Sequence, residues 1–378
     1  MAVAHLKIAF ARRGYSTSGG AEAYLKRLAQ GVREAGHEAQ LFTTAQWPQQ
    51  AWPFGRITHL TGETPLRFAD ELERLRPAME CDVLMSLERV WSCDVYRAGD
   101  GVHRSWLDRR ARLTGRMRRV AHALNPKHLA TLRLEQALFG RRGARRVIAN
   151  SHLVETEIAA LYGYPAAQID LVHNGVPVEE FLSTAEVRET ERHRLGLSSD
   201  DFAVLFVGSG WERKGLRFAT GAVEACGDPR LRLVVAGQGS AARYRSPVAT
   251  FLGVRQDLPA LYAAADLFLL PTIYDPFSNA SLEALAAGLP VITTSANGFA
   301  EVMREGVDGS VIAAPDDLRA LGAALLLWSD SARRAETRGA RLELARHYDI
   351  SVNVERTLEI LLQAAASAAS TSGKIRNT

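Results

Sequence analysis

Four short stretches carry residue types able to do chemistry on a phosphorylated ligand. The first is Gly208-Ser209-Gly210-Trp211-Glu212-Arg213-Lys214-Gly215, directly after an apolar run ending at Val207. It lacks the Lys-Ser/Thr ending of a P-loop and the glycine spacing of a dinucleotide fingerprint. What remains is the guanidinium of Arg213 beside the ammonium of Lys214, which suits neutralising a diphosphate and equally suits a solvated surface. The second stretch runs Tyr274-Asp275-Pro276-Phe277-Ser278-Asn279-Ala280-Ser281-Leu282-Glu283, with Ala287-Gly288-Leu289-Pro290 after it. Asp275 ends a turn, Ser278 suits a helix cap and Glu283 falls one turn inside the helix. These carboxylates could grip hydroxyls, or serve only as a helix-dipole partner and a solvated side chain.

The third stretch, Ser18-Gly19-Gly20-Ala21-Glu22, sets paired glycines at a helix start, where a backbone can approach an anion closely or simply turn. In the fourth, Tyr96-Arg97-Ala98-Gly99-Asp100-Gly101-Val102-His103, glycines flank an acid and a histidine stands three residues on. A proton-handling role there competes with that of an ordinary loop histidine.

The elements that must hold these stretches are legible as short Val, Ile and Leu runs alternating with amphipathic helical segments, the mark of parallel sheets covered on both faces. Strands are expected at Lys7–Ala11, Ala39–Thr43, Arg56–Leu60, Val83–Ser86, Arg146–Ala149 and Asp170–His173, with a helix over Ala21–Ala35 stopped by Gly36. The pattern restarts at Ala203–Val207 and continues through Leu231–Ala236, Thr250–Leu252, Leu267–Leu270, Val291–Thr293 and Ser310–Ile312. Gly175 and Pro177 mark a junction, so the class is α/β with two doubly wound, Rossmann-like domains. Domain boundaries are expected at 1–176 and 177–345, with a carboxy-terminal helix over 346–366 packing back on the first domain and a disordered tail over 367–378.

A chain of 378 residues, 47% apolar and 23% charged, has material for two cores. Its three cysteines, Cys81, Cys93 and Cys226, show no CxxC spacing, which argues against a zinc site or disulfide framework and for a reducing cytoplasm. The start of the chain does not read as a signal peptide, and no apolar run is long enough to span a bilayer. A net charge of +4 gives no reason to expect nucleic acid as a partner. Basic residues nevertheless crowd between Arg104 and Arg146, interleaved with Trp106, Leu107, Leu113, Met117, Val120 and Leu124. Such a face attracts polyanions.

Together these turns resemble glycosyltransferase family 4, retaining enzymes of the GT-B fold, whose two Rossmann-like domains face each other across a cleft. Tyr274 to Pro290 is similar to the family's E-x7-E signature, with Asp275 at the first glutamate and Glu283 at the second. The Arg213-Lys214 turn, Asn174-Gly175-Val176, the Gly-Gly turn and Gly253 to Asp266 match in order and separation. The run Asp94-Val95-Tyr96-x-Ala98-x-Asp100 is most similar to that of the family's lipopolysaccharide core glucosyltransferases.

The resemblance implies that Arg213 and Lys214 bind the donor diphosphate, Glu283 the ribose, and Asp275 with backbone N–H groups near Phe277, Ser278 and Asn279 the transferred sugar. It places Gly19 and Gly20 against the phosphates and Gly253, Val254 and Arg255 along the base. The first domain would then take the acceptor and the second the nucleotide sugar. No Asp-x-Asp metal motif is present, so the expectation is metal-independent transfer without a resident cofactor, UDP-glucose serving as co-substrate. Retention implies same-face attack by the acceptor hydroxyl, with Asp100 or His103 orienting it or taking its proton. The expected acceptor is an anionic glycolipid or oligosaccharide, a lipopolysaccharide core heptose in particular, and segment 104–146 would dock on the inner face of the cytoplasmic membrane. The shorter Asp275 leaves the donor sugar open. A nucleotide-sugar epimerase of the same fold, another polysaccharide acceptor and a non-catalytic nucleotide-binding module remain the rival readings.

Overall fold

The computed structural model describes residues 5–16, 20–113 and 125–375. Ser18 and Gly19 of the paired-glycine turn, residues 114–124 of the basic stretch (Arg116, Met117, Arg118, Arg119, Val120 and Leu124 among them) and the last three residues lie outside the described part.

The chain divides into two compact units, Met1–His173 with Asn353–Thr378, and Asn174–Val352. The first holds a seven-stranded parallel sheet in the order β3-β2-β1-β4-β5-β6-β7. Its strands are β1 Lys7–Ala11, β2 Glu38–Thr44, β3 Ile57–Leu60, β4 Val83–Ser86, β5 Cys93–Arg97, β6 Ala144–Ala149 and β7 Ile169–Leu171. The second holds a six-stranded parallel sheet, β10-β9-β8-β11-β12-β13, built from β8 Phe202–Val207, β9 Leu231–Ala236, β10 Ala249–Gly253, β11 Leu267–Leu270, β12 Val291–Thr294 and β13 Gly309–Ile312. Strand β8 reads Phe-Ala-Val-Leu-Phe-Val and β11 Leu-Phe-Leu-Leu, every residue buried, as strands covered on both faces require. Strand order reverses between β1 and β4 and again between β8 and β11, and it is beyond the carboxyl ends at such reversals that open α/β sheets bind ligands.

Strand β5 goes beyond the sequence-based expectation. Asp94 and Arg97 interrupt its apolar pattern, yet both are accommodated. The Leu84 N–H donates to Asp94 Oδ2 at 2.9 Å, and the Arg97 guanidinium lies 4.2 Å from the centroid of the Tyr24 ring. The carboxy-terminal end also differs. Where a disordered tail reads from Ser367, one helix continues over Ile350–Ile375, because the alanine-rich run from Ala364 has high helix propensity and no proline to end it. From Asn353 on, this helix belongs with the first unit. Tyr24 Oη and Thr357 Oγ1 are hydrogen-bonded at 3.2 Å, and Val354 packs so closely on Gly31 that a Cβ there would lie 2.5 Å from its Cγ1.

Candidate active site

In the second unit the carboxyl ends of three adjacent strands are finished by glycines with positive φ: Gly208 (+146°), Gly237 (+126°) and Gly253 (+69°). The Gly237 N–H donates to Gly253 O at 2.7 Å, and a Cβ on Gly237 would stand 2.1 Å from Gly208 O. A side chain on Gly208 would strike the Lys214 stem, with Cδ 2.4 Å away. The glycines therefore make a backbone shelf, with the Lys214 stem laid against its Gly208 end. Trp211, buried against Tyr244 and Phe251, secures the loop by donating Nε1 to Gly208 O at 2.8 Å.

Lys214 reaches Asp275 from the Gly208 end of this shelf, Nζ donating to Oδ2 at 3.1 Å, and Arg213 Nη1 stands 3.7 Å from the same oxygen while donating to Tyr274 O at 3.0 Å. The return contacts lock the turn, since Ile273 N–H and Thr272 Oγ1 both donate to Arg213 O. Asp275 is 5% exposed. Burial alone would raise its pKa, but Lys214, Arg213 and the Phe277 N–H outweigh that cost and hold it below the ordinary carboxylate value. Neither cation is turned away into solvent, and the sugar-binding and diphosphate-binding candidates form one electrostatic cluster.

Phe277, Ser278 and Asn279 lead into the helix Asn279–Ala286. Ser278 caps it by accepting from Ser281 N–H at 3.2 Å. Three residues that sequence reasoning left without a role shape this end. Buried Asn297 accepts the N–H groups of Ser278 and Phe299 on one oxygen, at 3.2 and 3.1 Å. Asn174, read from sequence only as part of the junction, donates Nδ2 to Phe277 O at 3.0 Å and to Asn279 Oδ1 at 2.7 Å. Tyr262 donates its hydroxyl to Glu283 Oε2 at 2.8 Å, so Glu283 is a held, half-buried carboxylate and not a freely solvated one. Arg255 is engaged elsewhere, bonded to Asp257 and Glu191, and Val254 is exposed; among the described residues no hydrogen bond or ion pair joins either to the Arg213-Lys214-Asp275 cluster.

In the first unit Gly20 opens the helix Gly20–Glu34, and buried Glu22 in its first turn accepts from Arg12 Nη2 at 3.0 Å. Asp100 is exposed and stands 3.9 Å from Arg89 Nη1. Glu88, which follows β4 and was not singled out in the sequence, pairs with Arg12 at 3.0 Å; burial and the nearby Asp100 raise its pKa. His103 begins the helix His103–Arg112, whose Val102 cap position offers no side-chain acceptor. The missing cap is supplied by fully buried Glu135, which accepts from the N–H groups of His103 at 2.6 Å and Arg104 at 3.2 Å.

The His103 ring shares a hydrogen bond with His128, Nε2 to Nδ1 at 3.0 Å, and stacks on Trp106. Burial first, then the Arg89 charge, lowers its pKa to about 4, so the ring is neutral at pH 7. The folded chain then declines a proton that the unfolded chain accepts between about 4 and 6.5, and stability rises with pH through that window and is flat above it. His103→Asn should flatten the rise in thermal midpoint across those pH values, and an unchanged slope would contradict the assignment.

The basic stretch is less uniformly bare than its count implies. Arg109 pairs with Glu157 at 2.6 Å, Arg146 with Asp170 at 2.6 Å and Arg145 with Asp94 at 3.5 Å, using carboxylates from outside the stretch. Arg110 lies over Trp106, Arg133 over Trp91, and Leu129 is 51% exposed beside Lys127.

Residues 18–180 match the family model described as Glycosyltransferase Family 4, and residues 201–330 that described as Glycosyl transferases group 1. The chain is 31% identical over 239 residues to D-inositol 3-phosphate glycosyltransferase 1 of Catenulispora acidiphila, a match covering 57% of each. It spans about half the length of the curated relatives it matches. The crystal structure of WaaG, a glycosyltransferase involved in lipopolysaccharide biosynthesis, superposes with a TM-score of 0.78 at 22% identity, covering 94% of this chain and 99% of that one. HepE of Anabaena, in complex with UDP and glucose, gives 0.72 at 19% identity, with coverage of 94% and 99%. The amino-terminal half thus matches one of these families and the carboxy-terminal half the other, and the chain belongs to the glycosyltransferases of the GT-B fold.

Proposed function

We propose that the chain transfers a hexose from a nucleotide-diphosphate donor, UDP-glucose first among them, to an anionic glycolipid or oligosaccharide such as a lipopolysaccharide core heptose, with retention. The observation that carries this reading is the pairing of Lys214 and Arg213 with buried Asp275 at the carboxyl ends of β8 and β11. Two cations against one carboxylate leave positive charge for a diphosphate, and the helix Asn279–Ala286 adds its amino end. Asp275, kept ionised, accepts hydrogen bonds from hexose hydroxyls. Glu283, fixed by Tyr262, accepts from the ribose. The Gly208, Gly237 and Gly253 shelf lets the nucleotide lie close to the backbone. In the proposed step the bond from the hexose anomeric carbon to the phosphate oxygen breaks, the acceptor oxygen bonds to that carbon on the same face, and its proton passes to the departing diphosphate. Arg213 and Lys214 stabilise the charge that develops there. Exposed Asp100 orients the acceptor hydroxyl, while neutral His103 holds its local framework.

Support for the donor comes from HepE, crystallised with UDP and glucose, and for the acceptor from WaaG, named for lipopolysaccharide biosynthesis. UDP release from UDP-glucose should depend on added heptose-bearing core oligosaccharide. Interconversion of donor with no acceptor present would make the protein an epimerase, and absence of UDP release from any nucleotide sugar tested would defeat the transferase reading.

We further propose that Arg104, Arg110, Arg112, Lys127 and Arg133, with Leu129, dock on an anionic membrane face. Among the described residues no helix is long and apolar enough to cross a membrane. Flotation with phosphatidylglycerol vesicles should carry the protein at low salt, and binding should fall steeply with added salt. Equal recovery with purely zwitterionic vesicles would count against an electrostatic dock.

A further inference from the structure

The second unit has a cavity of about 300 Å³ at the edge of its sheet opposite to the Arg213-Lys214-Asp275 cluster. Asp266 and Pro290 line it, and they immediately precede β11 and β12, whereas the cluster follows the carboxyl ends of β8 and β11. Four arginines line the cavity, Arg188, Arg334, Arg338 and Arg341, against the single carboxylate of Asp266. An excess of three positive charges in one concavity focuses a field that draws anions into it.

Most of this charge is fixed in place by the fold. Arg188 donates to the Ala263 and Ala265 carbonyls at 2.9 and 2.6 Å and to Asp266 at 2.6 Å. Arg334 donates to two carbonyls ending the helix Leu318–Ser329 and stands 3.9 Å from Asp266. Arg341, 1% exposed, is held by the carbonyls of Gly288, Val307 and Arg334. Asp266 is already shared with Arg188, Arg192 and Arg334, so it cannot neutralise the group. Burial lowers the Arg341 pKa to about 10, and the crowding of Arg338 and Arg334 contributes, against Asp308.

Arg338 is different. It makes no hydrogen bond or ion pair among the described residues, and its guanidinium lies over Gly288, where a Cβ would be 3.0 Å from Nε. The amino end of the helix Ala185–Arg194, capped by Thr184, opens on the same space, and backbone N–H groups with a favourable dipole are a ready anion partner. Tyr262, Leu289 and Pro290 supply an apolar wall.

We infer that this cavity binds a phosphate monoester of monosaccharide size, its phosphate between Arg338, Arg334 and the helix amino end. This site is separate from the donor site and does not rest on the transfer reaction. Isothermal titration of the intact chain with inorganic phosphate and with glucose 6-phosphate tests it. Both should bind, and binding should persist in Arg213→Ala, which removes a donor-site cation. Arg338→Ala should weaken both by about tenfold or more, the size of one charge-assisted bond. Ala335→Glu, which puts a carboxylate at the exposed rim, should do the same by repulsion without deleting any framework contact. Binding unchanged in both variants, binding lost in Arg213→Ala, binding of inorganic phosphate alone, or no binding of either probe would each overturn the inference.

Discussion

Lys214→Met is expected to lower kcat/KM for sugar transfer by about a hundredfold to a thousandfold, the usual cost of removing a preorganised charge from developing negative charge. The same change should destabilise the second unit by about 3 kcal/mol, because it strips the nearest partner from a buried carboxylate. Among the described residues, Asp275 would keep Arg213 at 3.7 Å and the Phe277 N–H as partners. The two effects separate in the double variant Lys214→Met with Asp275→Asn. Replacing both partners restores much of the stability, since no uncompensated buried charge remains, while activity stays low. Urea unfolding and steady-state kinetics on the three proteins provide the check. A Lys214→Met enzyme with activity within about threefold of the parent would remove the diphosphate role.

Glu135→Ala should be the most damaging single change in the first unit, at about 3 to 5 kcal/mol, enough to lower a thermal midpoint by about 10 °C. Its carboxylate is fully buried and joins four donors: Arg89 Nε at 3.2 Å, the N–H groups of His103 and Arg104, and Tyr162 Oη at 2.6 Å. Removing it takes the acceptor from a helix terminus and the buried carboxylate from beside the Arg89 guanidinium together. Arg89 also donates to Gly101 O at 2.7 Å, so the loop bearing Asp100 should loosen and acceptor KM should rise. Stabilisation by UDP should be largely kept, because Arg213, Lys214 and Glu283, proposed to bind it, lie in the other unit. Calorimetry showing a loss below about 1 kcal/mol would mean that water or a neighbour replaces the carboxylate.

Much of the frame was readable in advance. The fully apolar runs at β8 and β11 announce buried parallel strands, and the alternation of strand and helix signals announces two doubly wound sheets. Ser278 as a cap and Gly36 as a stop follow from backbone rules that operate within one turn. Charged residues inside a strand, as in β5, hide that signal because their partners lie elsewhere in the chain.

What the sequence determined by itself are features set by contiguous residues: hydrophobic period, cap chemistry, and the glycines that permit positive φ. Tertiary structure alone decided which charges meet. Lys214 and Asp275 lie 61 positions apart, and Glu135 lies 32 beyond the N–H it caps. A carboxylate at the end of a turn reads the same whether it faces water, a dipole or two cations. Only folding removes the solvent that would otherwise mask the difference, and at low local dielectric the pairing governs protonation and charge.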